Sequence, residues 1–454
     1  MNPAYLEDAS GFSGYAEAVY IPSGEQELAA ILREASEKKV PVTIAGGGTG
    51  VAGGRVPFGG WVVSLEKFTE MRIEPGVATA GAGVVLRDLQ RATLPSGQFY
   101  APDPTEDAAF IGGTIATNAS GSRSFLYGDT RRHVAGLTAI LMDGTVLHLS
   151  RGDKIDFPVE AIPVPRTTKH SAGFLLYPGM DAMDLFIGSE GTLGVITQAQ
   201  LRLLPSPKEL LAGVVFFASD EEALNAVDVW RSVPRLRLLE YFDAGSLTLL
   251  RAHYPDVPAA ANAALLMEQE IHQDSEIDFW EAALQDAHAL AEQSWFATTD
   301  QDRERFRKFR HAVPEVVNDT VRRRGLLKMG TDFAVPIDRN REMLLLYREA
   351  MEAAFPGQYV ICGHIGDAHV HVNILPRNAE EAEKAKALIS HFAHKAVELG
   401  GTVGAEHGLG KRKAHFLEIQ YTPRQIAAMA AVKRRFDPQW LLGRGTLFPV
   451  PQGV

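Results

Sequence analysis

At 454 residues the chain is too long for one ordinary hydrophobic core, so two or three domains are expected. Its 45 basic against 56 acidic residues give a formal net charge of −11, and with no Lys/Arg-rich run it lacks the clustered cations that a nucleic-acid partner requires. No stretch is long and apolar enough to span a bilayer, and the opening MNPAYLEDASGF has neither a basic n-region nor an apolar h-region, so a cytoplasmic protein without an integral membrane segment is expected. Cys362 is the single cysteine, which excludes an internal disulfide, a Cys-ligated iron–sulfur cluster and a Cys-rich structural zinc; any metal must use His and carboxylates.

In chain order, Ser23 with Gln26 reads as a capping box, and Leu28, Ile31, Leu32 and Ala35 follow at helical spacing, predicting a helix near 24–38. Pro41 to Ile44 reads as a strand running into a loop, Ala45 to Gly54, with six glycines in nine positions. Gly48, Gly50 and Gly53 fit G-x-G-x-x-G, yet a second strand, Trp61 to Leu65, follows where a helix should, so a Rossmann turn is excluded. Such a loop can still cradle a diphosphate, because without side chains its amides approach an anion closely. A second small-residue run, Pro102-Asp103-Pro104 and then Gly112 to Gly121, has the same character. Two anion cradles in one domain suggest a long ligand with a diphosphate at its middle. Leu137 to Met142 and Thr145 to Leu149 form a hairpin around Asp143-Gly144, predicted as a type I′ turn. A third glycine loop, Gly188 to Gly194, leads into the strand Val195 to Leu203, and Pro205 and Pro207 close the domain.

The second half reads as strand (210–218), helix (220–233), strand (236–242), strand (264–269) and helix (276–296), the rhythm of a small antiparallel sheet covered by helices on one side. The charged helix Asp302 to His311 is mostly a solvated face. A short strand, Lys328 to Pro336, places Lys328, Gly330 and Asp332 on one side. Gly363 to Asn373, GHIGDAHVHVN, then packs three imidazoles and a carboxylate into eleven residues. Period-two alternation sends His369, His371 and Asn373 to one face, and His364 can meet His371 if the chain doubles back at Gly366-Asp367. Glu406-His407 follows in a glycine-rich loop. Two His and one Glu make an open metal shell that leaves room for water or substrate.

AGGGTGVAGG, PDPTEDAAFIGGTIATNASG and GSEGTLGVIT, in that order, resemble the FAD-binding domain of the vanillyl-alcohol oxidase type, the PCMH fold. The resemblance implies an α+β protein with a PCMH-type FAD-binding domain over residues 1–206. It places Gly46, Gly47, Gly48, Thr49, Gly50, Pro102, Gly113, Thr117, Asn118, Ser120, Glu190, Gly191, Thr192 and Ile196 on FAD. Some members hold the flavin covalently through a His near the first loop; none lies between residues 40 and 60, so dissociable FAD is expected.

Residues 207–454 resemble the C-terminal domain of FAD-linked D-2-hydroxy-acid dehydrogenases, specifically at GHIGDAHVHVN and GAEHGLGKRK. The resemblance implies a ferredoxin-like α+β substrate domain with an antiparallel sheet, its tail free to pack back on the first domain. It makes His364, His371 and Glu406 ligands of a divalent metal, Zn²⁺ or Mn²⁺, His407 the catalytic base, and Arg310, with Lys328 as a weaker candidate, the partner of the substrate carboxylate. The family's Asn-Pro-Gly-Lys tail is replaced by Leu442-Gly443-Arg444-Gly445-Thr446. The expected activity is oxidation of D-lactate, glycolate or D-2-hydroxyglutarate to the 2-oxo acid. The rivals are a metal-free flavin oxidase of an alditol or phenol, and a non-catalytic flavin subunit. The electron acceptor (electron-transfer flavoprotein, quinone or cytochrome) and the oligomeric state, a homodimer among the choices, are left open by the sequence.

Overall fold

Three sheets organise the computed structural model, which describes residues 2–297 and 299–451. In the first, β1 (Ala18–Tyr20), β2 (Val42–Ala45) and β3 (Trp61–Ser64) pair in parallel in the order β1-β3-β2. Helix α1 (Glu25–Glu37) covers it with Leu28, Ile31, Leu32 and Ala35, all buried against Val42 and Val63. The capping differs from expectation: the N-cap is Gly24, one residue on, and the Ser23 amide and hydroxyl instead donate to Glu27 Oε2 at 2.7 and 2.8 Å. The tail of the chain completes this sheet, with the Val42 amide donating to Leu441 O and the Gly443 amide to Val42 O, both at 2.8 Å.

A second, antiparallel sheet has the order β4-β5-β8-β6-β7, from β4 (Met71–Glu74), β5 (Val77–Gly81), β6 (Val134–Ile140), β7 (Val146–Ser150) and β8 (Val195–Arg202). The β6–β7 hairpin forms, but not through a type I′ turn: only Gly144 takes a positive φ, +81°, and its amide bonds back to Leu141 O. Beyond α2 (Leu86–Thr93), the first half of the Gly112–Gly121 run is α3 (Ile111–Ala116), a helix the glycine content conceals. It packs Ile111 and Ile115 into the core.

The third sheet has seven antiparallel strands. They are β9 (Leu210–Phe217), β10 (Leu236–Phe242), β11 (Ala263–Glu270), β12 (Trp295–Ala297), β13 (Met329–Gly330), β14 (Tyr359–Gly363) and β15 (His371–Ile374), in the order β12-β9-β11-β10-β14-β15-β13. The expected helix 276–296 is shorter, α6 (Ser275–Asp286); His288 takes a positive φ and the chain leaves to add Trp295 and Phe296 to the sheet edge. The expected strand 328–336 joins this sheet only at Met329 and Gly330: Thr331 spends its hydroxyl on the Val372 amide and its carbonyl on His371, and Ala334 instead bridges Thr402.

Helices cover both faces of this sheet, not one. On one face lie α4 (Asp220–Trp230), α6, α8 (Asn340–Ala354) and α9 (Ala379–Glu398). On the other lie α5 (Ala244–Leu250), N-capped by Asp243, and α7 (Asp300–Arg323). Helix α7 buries Phe306, Phe309, Val313, Val317 and Val321 at three- and four-residue spacing, each side chain stabilising the packing by about 1.5–3 kcal/mol relative to exposure. Period-two alternation puts Leu238 and Phe242 of β10 in that same core and Leu239 and Tyr241 in the opposite one. Glu240, between them, therefore faces α7. A last helix, α10 (Pro423–Phe436), begins with a capping box of Thr422 and Gln425. Among the described residues no helix is long and apolar enough to cross a membrane.

Candidate active site

The glycine loop after β2, α3 and the α7-facing side of the seven-stranded sheet enclose one cleft of about 450 Å³. Gly46 to Gly50 line one end, and His364, His371, Glu406 and His407 the other, so the two halves of the chain meet where the sequence motifs require. A Cβ at Gly46, Gly113 or Gly191 would meet nothing within 4 Å, which leaves that wall open to an extended ligand with its amides within reach.

β-Pairing explains the metal-like end. Cys362 of β14 stands opposite His371 of β15, so both project to the α7 side, and the short 3₁₀ turn Ile365–Asp367 brings His364 back over them. The His364 and His371 ring centroids are 5.7 Å apart. Ring nitrogens of His364, His369 and His371 and a Glu406 oxygen all lie within 4.8 Å of one another, with His364 Nε2 3.2 Å from Glu406 Oε1. The outer nitrogens are engaged elsewhere: His364 Nδ1 with Glu240 at 2.6 Å and His371 Nδ1 with Thr331 O at 3.0 Å. That is how imidazole ligands are oriented, with Nε2 directed inward. Burial, reinforced by His369 and His407, holds the His371 imidazole well below its ordinary pKa, so it is neutral and ready to bind a cation. Burial pushes Glu406 upward, but His364 and Lys169 outweigh it and keep its carboxyl ionised. A divalent cation fits this donor set.

His407 lines the cleft beside His371, and its Nδ1 is 3.1 Å from Asp332 Oδ1. The amides of Glu406 and His407 also donate to Asp332, at 3.3 and 3.0 Å, so one buried carboxylate fixes the whole dipeptide. Arg310 lines the cleft from α7. Its Nε donates to Glu240 at 2.8 Å and Nη2 to Thr105 at 3.2 Å, while Nη1 contacts His311 at 3.3 Å, leaving one N–H on each Nη. Pro314, one turn on, offers no N–H to the Arg310 carbonyl, which loosens the helix at this point. Lys328 lines the cleft, and burial lowers its pKa.

Of the residues expected on FAD, Gly46 to Gly50, Gly113, Thr117, Ser120, Glu190, Gly191 and Ile196 line the cleft. Pro102, Asn118 and Thr192 lie behind its wall. Asn118 bonds Asp129 and the Arg131 amide, and the Thr192 hydroxyl bonds Ser189 O. Ser120 donates to Glu406 Oε1 at 3.0 Å, and the Glu190 carboxylate accepts the Leu409 and Gly410 amides at 2.9 and 2.7 Å, clamping the GLGKRK loop. Gly443 of the atypical tail also lines the cleft.

Four residues escaped sequence reasoning in their roles. Lys169, with no exposed side-chain surface, contacts Glu406, Asp367 at 3.3 Å and Gly121 O at 2.9 Å. His369 completes the imidazole cluster, fully buried, with Nε2 3.4 Å from Asp332 Oδ1. Asp332 holds His407, and Glu240 joins His364 to Arg310. Only Glu240 carried a clear signal, a lone acid in the apolar strand LRLLEYF.

Residues 206–447 match the family of FAD linked oxidases, C-terminal domain, and residues 16–150 match an FAD binding domain. The chain is 34% identical to a D-lactate dehydrogenase of Archaeoglobus fulgidus, covering 93% of this chain and 89% of that one. It is 32% identical to the glycolate oxidase subunit GlcD of Bacillus subtilis, covering 98% and 92%. It is 29% identical to a D-2-hydroxyglutarate dehydrogenase of Xanthomonas citri pv. viticola, covering 95% and 89%. Among solved structures it resembles alkyldihydroxyacetonephosphate synthase, with a TM-score of 0.67 and 16% identity over 94% of this chain and 75% of that one, a likeness of fold.

Proposed function

Because the chain belongs to the FAD-linked oxidases, we propose that this cleft is the active site of a divalent-metal-dependent dehydrogenase that oxidises a small D-2-hydroxy acid to the 2-oxo acid. The observation that carries this reading is the convergence of His364, His371, Glu406 and His407 on the cleft lined by the first glycine loop. Bound FAD supplies a ring that accepts the hydride, and a divalent ion held by His364, His371 and Glu406 supplies Lewis acidity at the substrate hydroxyl.

The protein's own groups do the rest. Arg310 presents its two remaining Nη–H donors to the substrate carboxylate, a planar pairing that Lys geometry does not reproduce. Lys328 adds a second cation to the same wall. His407, with Nδ1 held by Asp332, uses Nε2 to take the hydroxyl proton as the hydride leaves the α-carbon, so proton and electron pair depart to different acceptors. Glu240 couples the two tasks, since its oxygens hold His364 and Arg310 at fixed separation.

A panel of D- and L-2-hydroxy acids, alditols and phenols, assayed with an artificial dye acceptor while flavin bleaching is followed, tests the proposal. D-Lactate, glycolate or D-2-hydroxyglutarate should bleach the flavin. Bleaching by an alditol or phenol alone, or full activity in a metal-free preparation, would overturn it.

A further inference from the structure

Arg55 belongs to the glycine loop yet has no role in the chemistry described above. Its side chain is half-buried and lines the cleft beside Gly46 to Gly50. Two of its five donors are taken by backbone carbonyls, Nη1 by Gly46 O at 2.8 Å and Nη2 by Ala4 O at 2.6 Å. Its Nε is buried with no hydrogen-bond partner. Among the described residues no carboxylate lies within 4 Å of its guanidinium. Burial works against its charge; Asp8, Tyr5, Glu66 and Glu7 offset that in part, without a direct ion pair. Of the other cations on the cleft wall, Arg310 is committed to Glu240, and Lys328 sits at the edge of the seven-stranded sheet near Cys362. Among the described residues that line the cleft, Arg55 is therefore the Lys or Arg side chain at the glycine loop, Lys411 being bonded to Gly54 O and Val56 O outside that lining.

A half-buried guanidinium with no direct ion pair is stabilised when a counter-charge arrives. The loop beside it can hold an anion only through amide dipoles, which carry no net charge. Gly48, with φ of +79°, has no Cβ; one placed there would lie 2.5 Å from Arg55 Nη1. The loop is thus shaped around the guanidinium as much as around a ligand.

We propose that Arg55 is the charged partner of the FAD diphosphate, its free N–H donors pairing with phosphate oxygens at the glycine loop. The inference rests on the FAD reading of the cleft and goes beyond it by assigning an ionic contact to a residue outside the family motifs. It makes the cleft discriminate between flavins by phosphate content.

The test measures dissociation constants of FAD, ADP and riboflavin for the flavin-free full-length protein, by flavin fluorescence and calorimetry. Arg55→Gln should weaken FAD and ADP by about tenfold to a hundredfold, the loss expected for a charge-assisted pair, and leave riboflavin, which has no phosphate, unchanged. Arg55→Lys should lose less FAD affinity, again without effect on riboflavin, and serves if the Gln variant does not fold. Equal losses for all three ligands would assign Arg55 to the packing of the Ala4 segment and overturn the proposal, as would wild-type FAD affinity in Arg55→Gln. A wild-type protein that binds ADP but neither flavin would instead remove the FAD reading beneath it.

Discussion

His407, whose ring lines the cleft, pairs with the buried Asp332 carboxylate, with Nδ1 3.1 Å from Oδ1. Because Asp332 also accepts two successive backbone amides, ring position and tautomer are set by the same carboxylate. His407→Ala is expected to keep flavin and metal but slow flavin reduction by substrate about 10²- to 10⁴-fold in a stopped-flow trace. Undiminished reduction would exclude His407 as the base.

Removing a metal ligand should separate metal from flavin. His371→Ala is expected to lose stoichiometric metal by elemental analysis while retaining the visible flavin spectrum, since His371 stands on the sheet and not on the glycine loops. EDTA treatment of the wild type should abolish turnover, and added Zn²⁺ or Mn²⁺ should restore it. Full turnover in EDTA would remove the ion from the mechanism.

Arg310→Lys keeps the positive charge but cannot satisfy Glu240 and Thr105 and still offer two parallel donors. The expected outcome is a rise in KM of about tenfold to a hundredfold with a smaller change in kcat. Steady-state kinetics that left KM unchanged would place the substrate carboxylate elsewhere.

Lys169 neutralises Glu406 and Asp367 in a fully buried setting. Lys169→Met leaves both carboxylates without their ammonium and should destabilise the holoenzyme by about 3 kcal/mol, read as a lower midpoint in urea. An unmoved midpoint would mean that the contact contributes nothing net.

Asp243, the buried N-cap of α5, has its carboxyl pushed by burial from 3.8 up to about 6. The folded protein then holds this proton more tightly than the unfolded chain. This group's contribution to stability consequently falls as pH rises from about 4 to about 6 and stays reduced above that. Asp243→Asn preserves the cap to the Ser246 amide and has no proton to lose. It should be more stable than wild type by about 1–3 kcal/mol at pH 8 and gain little at pH 4. A gain independent of pH would refute the assignment.

Motifs that act through backbone were legible in the sequence: the glycine loops, the doubling back at Gly366-Asp367, and the alternation that sends His371 and Asn373 one way. Asp143-Gly144 announced a hairpin, but the turn type depended on which residue took the positive φ, and that is settled by strand twist and packing. The Gly112–Gly121 run reads as an anion cradle from its small residues, and nothing in it announces the helix Ile111–Ala116, where packing of Ile111 and Ile115 overrides the poor helix preference of glycine. The second helix layer over the large sheet is hidden in the sequence because the dense charges of α7 mask the Phe306, Phe309, Val313 stripe that it buries. Lys169 could not be found locally, since its partners are Glu406 and Asp367, distant in the chain.

The hydrogen bonds between Val42 and residues 441 and 443 join opposite ends of the polypeptide. During synthesis the first parallel sheet must wait, with one edge unpaired, until residues 441–443 have been made. Early strands in that state are open to wrong neighbours, and a chain cut before Leu441 would lack both that edge partner and Gly443 at the cleft. Closing that edge and lining the cleft are thus one event, so such a shortened chain should take up flavin poorly and aggregate.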